Sequence, residues 1–280
     1  MRQLRMENPA IRGTDVMDWQ TFLIGEGLLT DDADGIFGPN TAKASRAYQA
    51  KVGIGPDGVV GAFTLARALE DGLTSAVEPL TAGMDAMVNC APFASEIVAK
   101  GIKFVVRYYS KFAKKSLTPA EALALSGAGL QLMTVYQDSN DKLELFTADI
   151  GTKQANNALV NAAAAGQPGG SAIYFAVDFD PAAVDVRGPV MEYFHAVHDV
   201  LASSPYSVGV YGSGVTCRLI RDAGFAKFTW LSQSTGFREY RVFLPQADVV
   251  QAAPSRDLIP KKLNIDDDIA QSSDFGAFQV

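Results

Sequence analysis

Apolar and polar positions change their rhythm near residue 80. Before it, apolar residues recur at three- and four-residue intervals. Val16, Trp19, Phe22 and Leu23 form one set, Ala44, Ala47, Tyr48 and Val52 a second, and Leu65, Ala68 and Leu69 a third. That spacing puts each set on one face of a helix. Beyond residue 80, short apolar runs alternate with helical stretches. The runs are GMDAMV from Gly83, FVVRYYS from Phe104, LQLMTVYQ from Leu130 and SAIYFAVDFD from Ser171. SVGVYGSG from Ser207, FTWLSQ from Phe228, DVVQAA from Asp248 and LNIDDDIA from Leu263 follow.

Helices are predicted between the runs, over residues 92–100, 117–126, 148–165, 186–201 and 215–223, with a further one after Gly236. Thr118, Pro119 and Glu121 read as N-cap, N1 and N3 of a capping box. Near-continuous apolar strands separated by helices imply parallel strands covered on both faces. Eight such units close a barrel. No GxGxxG follows the first strand, so a dinucleotide fold has no support. The expected fold is α/β: a three-helix domain over residues 1–72, a linker over 73–82, and a (β/α)8 TIM-like barrel over 83–280.

Within the helical part a motif repeats with a period of 23 residues. Asp34-Gly35-Ile36-Phe37-Gly38-Pro39-Asn40-Thr41 returns as Asp57-Gly58-Val59-Val60-Gly61-Ala62-Phe63-Thr64. Each copy reads as a tight Asp-Gly turn with a positive φ at glycine, then an apolar pair entering the core, then a helix start. Pro39 suits a first helical turn. With Trp19-Gln20, Phe22-Leu23 and Tyr48-Gln49, these turns resemble peptidoglycan-binding domain family 1. The resemblance implies a three-helix cell-wall anchor with a shallow groove and no catalysis.

The barrel strands end in acids. If the fourth run is one strand through to Asp180, then Ala176, Asp178 and Asp180 share a face, and Pro181 stops the ladder. Residues two apart in a strand lie roughly 6.5–7 Å apart, close enough for one carboxylate to raise the other's pKa. The bare Asp-x-Asp also reads as a polar strand end entering a proline turn. Asp85 closes the first strand, and Asp266, Asp267 and Asp268 lie on the last, which neighbours the first in a barrel. Tyr108, Tyr136, Tyr211 and Trp230 are predicted to add aromatic and hydroxyl groups to the same rim. Carboxylates and aromatic platforms together fit a sugar polymer.

Composition narrows the partners. The 280 residues carry a net charge of −7 with no basic block, which argues against nucleic acid and against an anionic membrane surface. No run approaches the ~18 apolar residues of a spanning helix. MRQLRMENPAIRG has no apolar leader core, so the expectation is a monomeric protein made in the cytoplasm without a signal peptide and acting on the wall after release. Cys90 and Cys217 read as buried thiols. His195 and His198 lie on a predicted outer helix with no further ligands in sight, so neither a metal nor a cofactor is expected. Gly212-Ser213-Gly214 is not a nucleophile elbow, and FAKK at 112–115 reads as a solvated loop.

The pieces GMD at 83–85, GIKFVVRYYS at 101–110, IYFAVDFD at 173–180, VGVYGSG at 208–214 and NIDDDIAQSSDFG at 264–276 resemble the glycoside hydrolase family 25 lysozyme superfamily. Within it they are most similar to the glycoside-hydrolase-like branch known as DUF1906. The resemblance implies a site of Asp85, Asp178, Asp180 and an acid of the last strand, with Tyr211 beside them. Asp266 is favoured among the last three, and Asp268 shares its face. Asp180 stands where family 25 lysozymes carry a glutamate general acid, one methylene longer. The implied roles are Asp180 as proton donor, Asp178 as the charge-stabilising carboxylate, and Asp85 and Asp266 as supports that position water. Tyr108, Tyr136, Tyr211, Trp230 and Asp268 would contact substrate. The expected function is an endolysin-like muramidase acting on peptidoglycan. The alternative is a wall-binding protein whose barrel has lost turnover.

Overall fold

The computed structural model describes residues 4–7, 9–73 and 81–280. The chain divides into two compact units, residues 1–80 and 81–280. Of the predicted linker, residues 74–80 lie outside the described residues. Leu73 belongs to the first unit's core, and residues 81–82 already open a strand of the second.

The first unit holds α1 (Thr14–Gly25), α2 (Pro39–Lys51) and α3 (Ala62–Glu70). Its core gathers Val16, Trp19, Leu23, Phe37, Tyr48, Val60 and Leu65. The rings of Trp19, Phe22 and Tyr48 meet at centroid distances of 5.4, 5.6 and 5.1 Å. Gly35 and Gly58 take the expected left-handed φ, 71° and 77°. Pro39 occupies the first turn of α2 after Gly38.

The second unit is a closed barrel in the order β1 to β8. Its strands are β1 (Thr81–Asp85), β2 (Phe104–Tyr109), β3 (Gln131–Tyr136), β4 (Ala172–Ala176), β5 (Ser207–Gly212), β6 (Phe228–Leu231), β7 (Val249–Ile259) and β8 (Leu263–Ala270). From β1 to β7 neighbours run parallel, but β8 is antiparallel to both β7 and β1. Only residues 260–262 join β7 to β8, too few for a crossover helix, so the chain must turn back as a hairpin. The reversal matters for the site. It brings the acids of β8 to the end where β1 finishes, pairing Asp266 with Asp85 and Asp268 with Gly83.

The helices are α4 (Ala94–Ala99), α5 (Pro119–Gly127), α6 (Ala148–Ala165), α7 (Ala183–Asp185), α8 (Met191–Leu201), α9 (Gly214–Asp222) and α10 (Tyr240–Phe243). The predicted helix from 186 opens instead with a π-helical turn at Val186–Val190, where Pro189 has no N–H to give. Thr118 caps α5 by accepting from the Glu121 N–H at 3.2 Å. The other half of the capping box is absent, because the Glu121 carboxylate turns inward to Arg107, 2.7 Å away, and to the Cys90 N–H. This fully buried ion pair locks β2 to α5 and to the segment after β1.

Inward side chains fill the barrel, among them Phe104, Val106, Met133, Tyr174 and Phe228. A Cβ on Gly83 would lie 2.2 Å from the Phe104 ring, and one on Gly209 2.5 Å from the Tyr174 ring. Those two glycines make room for aromatic rings in a narrow barrel. At the opposite end from the acids, the Tyr174 hydroxyl donates to the Phe275 carbonyl and Phe275 packs on Phe104, so the C-terminal tail closes the floor. Among the described residues no helix is long and apolar enough to cross a membrane.

Candidate active site

The mouth of the barrel is organised around a buried glutamine. Asp85 ends β1 and is only 3% exposed. Its Oδ1 accepts from the Tyr108 hydroxyl at 2.7 Å and its Oδ2 from Gln251 Nε2 at 2.7 Å. The same Gln251 nitrogen reaches Asp266 Oδ2 at 3.2 Å. Gln251 Oε1 accepts from the Tyr211 hydroxyl at 2.8 Å. Asp266 also accepts from Gln233 Nε2 at 3.2 Å and from the Ser255 hydroxyl. Below them Asp268 accepts from Trp230 Nε1 at 2.8 Å, and its Oδ2 has no hydrogen-bond partner among the described residues.

Burial and like charge set the electrostatics. Burial pushes the Asp85 pKa up to about 7; Asp266 adds to the rise, while Tyr108 and Gln251 oppose it. Asp268 lies well above the carboxylate range, first from complete burial and then from Asp85. Tyr108 and Tyr211 are raised by burial as well, so both remain hydroxyl donors.

The Asp-x-Asp pair behaves differently from a strand face. Strand β4 stops at Ala176, short of both acids. The Val177 N–H still reaches the Tyr211 carbonyl at 2.8 Å, but the Asp178 N–H goes to the Asn140 carbonyl and the chain leaves the sheet. Alternation therefore ends before Asp180, and the two acids diverge. Asp178 stays at the open mouth, accepting from Gln137 Nε2 at 2.8 Å. Its carboxyl is desolvated by the surrounding walls even though the residue is open to solvent, and that raises its pKa; Gln137 and Lys115 oppose the shift. Asp180 is taken up by Arg238. Its Oδ1 accepts the Arg238 N–H at 2.9 Å and its Oδ2 lies 2.5 Å from Nη1.

The four aromatic residues expected on the rim also separate. Tyr108, Tyr211 and Trp230 point inward, but they are nearly covered and form the bottom of the mouth, with Tyr211 and Trp230 rings 4.5 Å apart. Tyr136 does not reach the mouth. It points outward, where its ring stacks on Phe175 and its hydroxyl lies between Asp138 and Asn157. An even number of strand positions would have been needed to turn it inward with Met133 and Val135.

Sequence reasoning missed the amides. Gln251, Gln233 and Gln137 carry no charge and no spacing signal. The available hint was a glutamine inside or directly after an apolar strand run. It also misread Lys115, which lies half-buried over the Tyr108 ring at 4.2 Å rather than out in solvent. The other candidates fall outside the mouth. His195 and His198 rest on Phe225 on the outer surface. Ser213 caps α9. Cys90 and Cys217 are buried free thiols, each pushed up to about 12 by burial. Among the described residues, no group of three or more His, Cys, Asp or Glu side chains could hold a metal ion.

A closed eight-stranded α/β barrel with acids gathered at its mouth is a glycoside-hydrolase-like architecture. The model of the family described as "Rv2525c-like, glycoside hydrolase-like domain" matches residues 95–270, and the chain belongs to that family. The "Putative peptidoglycan binding domain" model matches residues 12–67. The chain is 28% identical to "Uncharacterized protein YbfG" of Bacillus subtilis over 79% of its own length and 32% of that protein's. It is 27% identical to "Putative peptidoglycan hydrolase Rv2525c" of Mycobacterium tuberculosis, over 66% of this chain and 80% of the relative. The chain spans about a third of the length of the Bacillus relatives it matches. A crystal structure of the Tat-secreted Rv2525c with L-tartrate superposes with a TM-score of 0.59 at 22% identity, covering 71% of this chain and 98% of that one. At that identity the likeness concerns the fold.

Proposed function

We propose that the barrel hydrolyses the glycan strand of peptidoglycan as an N-acetylmuramidase, and that the first unit holds it on the wall. The observation carrying this reading is the mouth itself. Asp85, Asp178, Asp266 and Asp268 all lie near enough to the Tyr211 hydroxyl to raise its pKa. Three of them, Asp85, Asp268 and Asp178, have raised pKa values of their own, and of these only Asp178 is open to solvent. Glycoside hydrolysis needs a carboxyl that still carries a proton near neutral pH and a second carboxyl opposed to it.

In the proposed roles, Asp178 protonates the leaving oxygen. Gln137 engages only its Oδ2, which leaves Oδ1 for substrate. Asp85 and Asp266, joined through Gln251, balance positive charge at the anomeric carbon and orient water or the substrate's N-acetyl group. Asp180, the expected donor, instead joins the β4 exit to the segment after β6 through Arg238. Wall binding by the first unit raises the barrel's local concentration without new contacts at the mouth.

The Asp180–Arg238 pair also supports a second reading, a wall-binding barrel without turnover, because it occupies the acid expected to act. Mass spectrometry of purified peptidoglycan digested by wild type, Asp178→Asn and Asp180→Asn separates the two. The expected result is soluble muropeptides with reducing N-acetylmuramic ends. They should fall by 10²-fold or more, on the order expected for a lost general acid, with Asp178→Asn, and less with Asp180→Asn. The reverse ranking would return the donor role to Asp180. A folded wild type that pellets with sacculi yet releases nothing would leave the wall-binding reading.

A further inference from the structure

Lys115 lies on the segment between β2 and α5, outside every role assigned above. Its backbone is fixed. The Leu117 N–H donates to the Tyr108 carbonyl at 2.8 Å, and the Ser116 hydroxyl donates to the Ser110 carbonyl at 2.9 Å. Ser110 and the Lys111 N–H are in turn held by Asp138, each at 2.9 Å.

From that anchored segment the ammonium makes two contacts. It donates to Gln137 Oε1 at 2.6 Å and sits over the Tyr108 ring at 4.2 Å. Both contacted groups hold an acid of the mouth. Gln137 Nε2 donates to Asp178, and the Tyr108 hydroxyl donates to Asp85. A primary amide has one acceptor end and one donor end. Because Lys115 takes the oxygen of Gln137, the nitrogen must face Asp178. Without the ammonium nothing in these contacts fixes that orientation, and a flipped amide would set oxygen against oxygen.

We propose that Lys115 is a positioning residue that holds both mouth acids through two intermediaries, Gln137 for Asp178 and Tyr108 for Asp85. It fixes the Gln137 amide so that one Asp178 oxygen is bound and the other is left for substrate. It also places a positive charge near both carboxyls. The charged groups around Lys115 are Asp178, Asp138, Asp85 and Arg107; those facing Asp178 are Lys115 and Asp141. Burial lowers the Lys115 pKa and Arg107 adds to the shift, while the three nearby acids oppose it and favour the ammonium.

The consequence for rate rests on the hydrolase reading, while the consequence for Asp178 does not. The test is therefore a titration followed by a rate. Carboxyl-carbon NMR of aspartate-labelled full-length protein would follow Asp178, assigned with Asp178→Asn, in wild type, Lys115→Met and Lys115→Arg. The midpoint of Asp178 is expected to move upward in Lys115→Met and to return toward wild type in Lys115→Arg, which can still cover Tyr108 and donate to Gln137. Turnover of peptidoglycan should fall on the order of 10²-fold in Lys115→Met, mainly in kcat, with partial recovery in Lys115→Arg. A folded Lys115→Met protein whose Asp178 midpoint is unmoved overturns the proposal. If wild type shows no turnover, the hydrolase reading falls and the titration still decides the role of Lys115.

Discussion

Buried glutamines organise both units, with opposite electrostatic results. In the first unit Gln20 accepts the Gly35 N–H at 2.8 Å and gives its amide hydrogens to Asp34, the Ile36 carbonyl and Thr41. Gln49 repeats this with Gly58, Asp57, the Val59 carbonyl and Thr64. Each glutamine closes one copy of the turn motif, and Asp34 responds with a lowered pKa, chiefly through Gln20. In the barrel Gln251 spreads one amide nitrogen over two carboxyls, Asp85 and Asp266. There the hydrogen bonds do not offset burial, and Asp85 rises to about 7. The same side chain stabilises a fold where each acid is solvated, and assembles an unfavourable cluster where the acids are buried. Clusters of that kind mark sites that do chemistry, which is why the mouth rather than the repeat is the candidate site.

Breaking the comparison at Asp85 should have the largest effect. Its folded pKa exceeds the roughly 3.9 of an unfolded aspartate, so the folded state holds its proton longer. Its contribution is fully present below the unfolded value, fades as pH rises from about 4 to about 7, and is absent above. Asp85→Asn should therefore stabilise the barrel increasingly through that window, by on the order of 2–4 kcal/mol at pH 8, while impairing hydrolysis. Urea unfolding at pH 4 and pH 8 checks the sign; equal effects at both would show that Asp85 is not the strained group.

In the first unit the expected sign is opposite. Gln20→Ala strips the buried Gly35 N–H of its acceptor and should cost about 2–3 kcal/mol, read as a lower thermal transition of the helical unit in the full-length protein. A neutral outcome would mean that water replaces the amide. The smallest effect belongs to Tyr108→Phe. Losing its hydroxyl removes a donor that holds Asp85 down, so the Asp85 midpoint should move above 7 at a cost of roughly 1 kcal/mol or less. Carboxyl-carbon NMR would detect the move, and a midpoint that falls would reverse the role given to that hydroxyl.

Much of this was legible along the chain. Trp19, Phe22 and Tyr48 announce their helices by spacing, and the Asp-Gly pairs announce turns that need a positive φ, because both signals are local. Asp85 at the end of β1 and the acids within β8 were legible as neighbours because the first and last strands of a barrel pair, although the direction in which β8 runs was not. Asp178 and Asp180 were not, since their shared face depended on β4 continuing past Ala176. The Asn140 carbonyl, distant in sequence, captures the Asp178 N–H and ends the strand there. Tyr136 was misplaced by one step of the two-residue alternation, and only the register against β2 and β4 fixes that step.

The sequence by itself determined the helical repeat, the eight strand-forming runs and the acids that could be brought together, because periodicity and turn chemistry are written into neighbouring residues. Tertiary structure decided the reversal of β8, the capture of Asp180 by Arg238, the place of Gln251 between two acids and the pKa each acid carries. Those depend on burial and on which distant side chain arrives within hydrogen-bond range, and no local pattern encodes either.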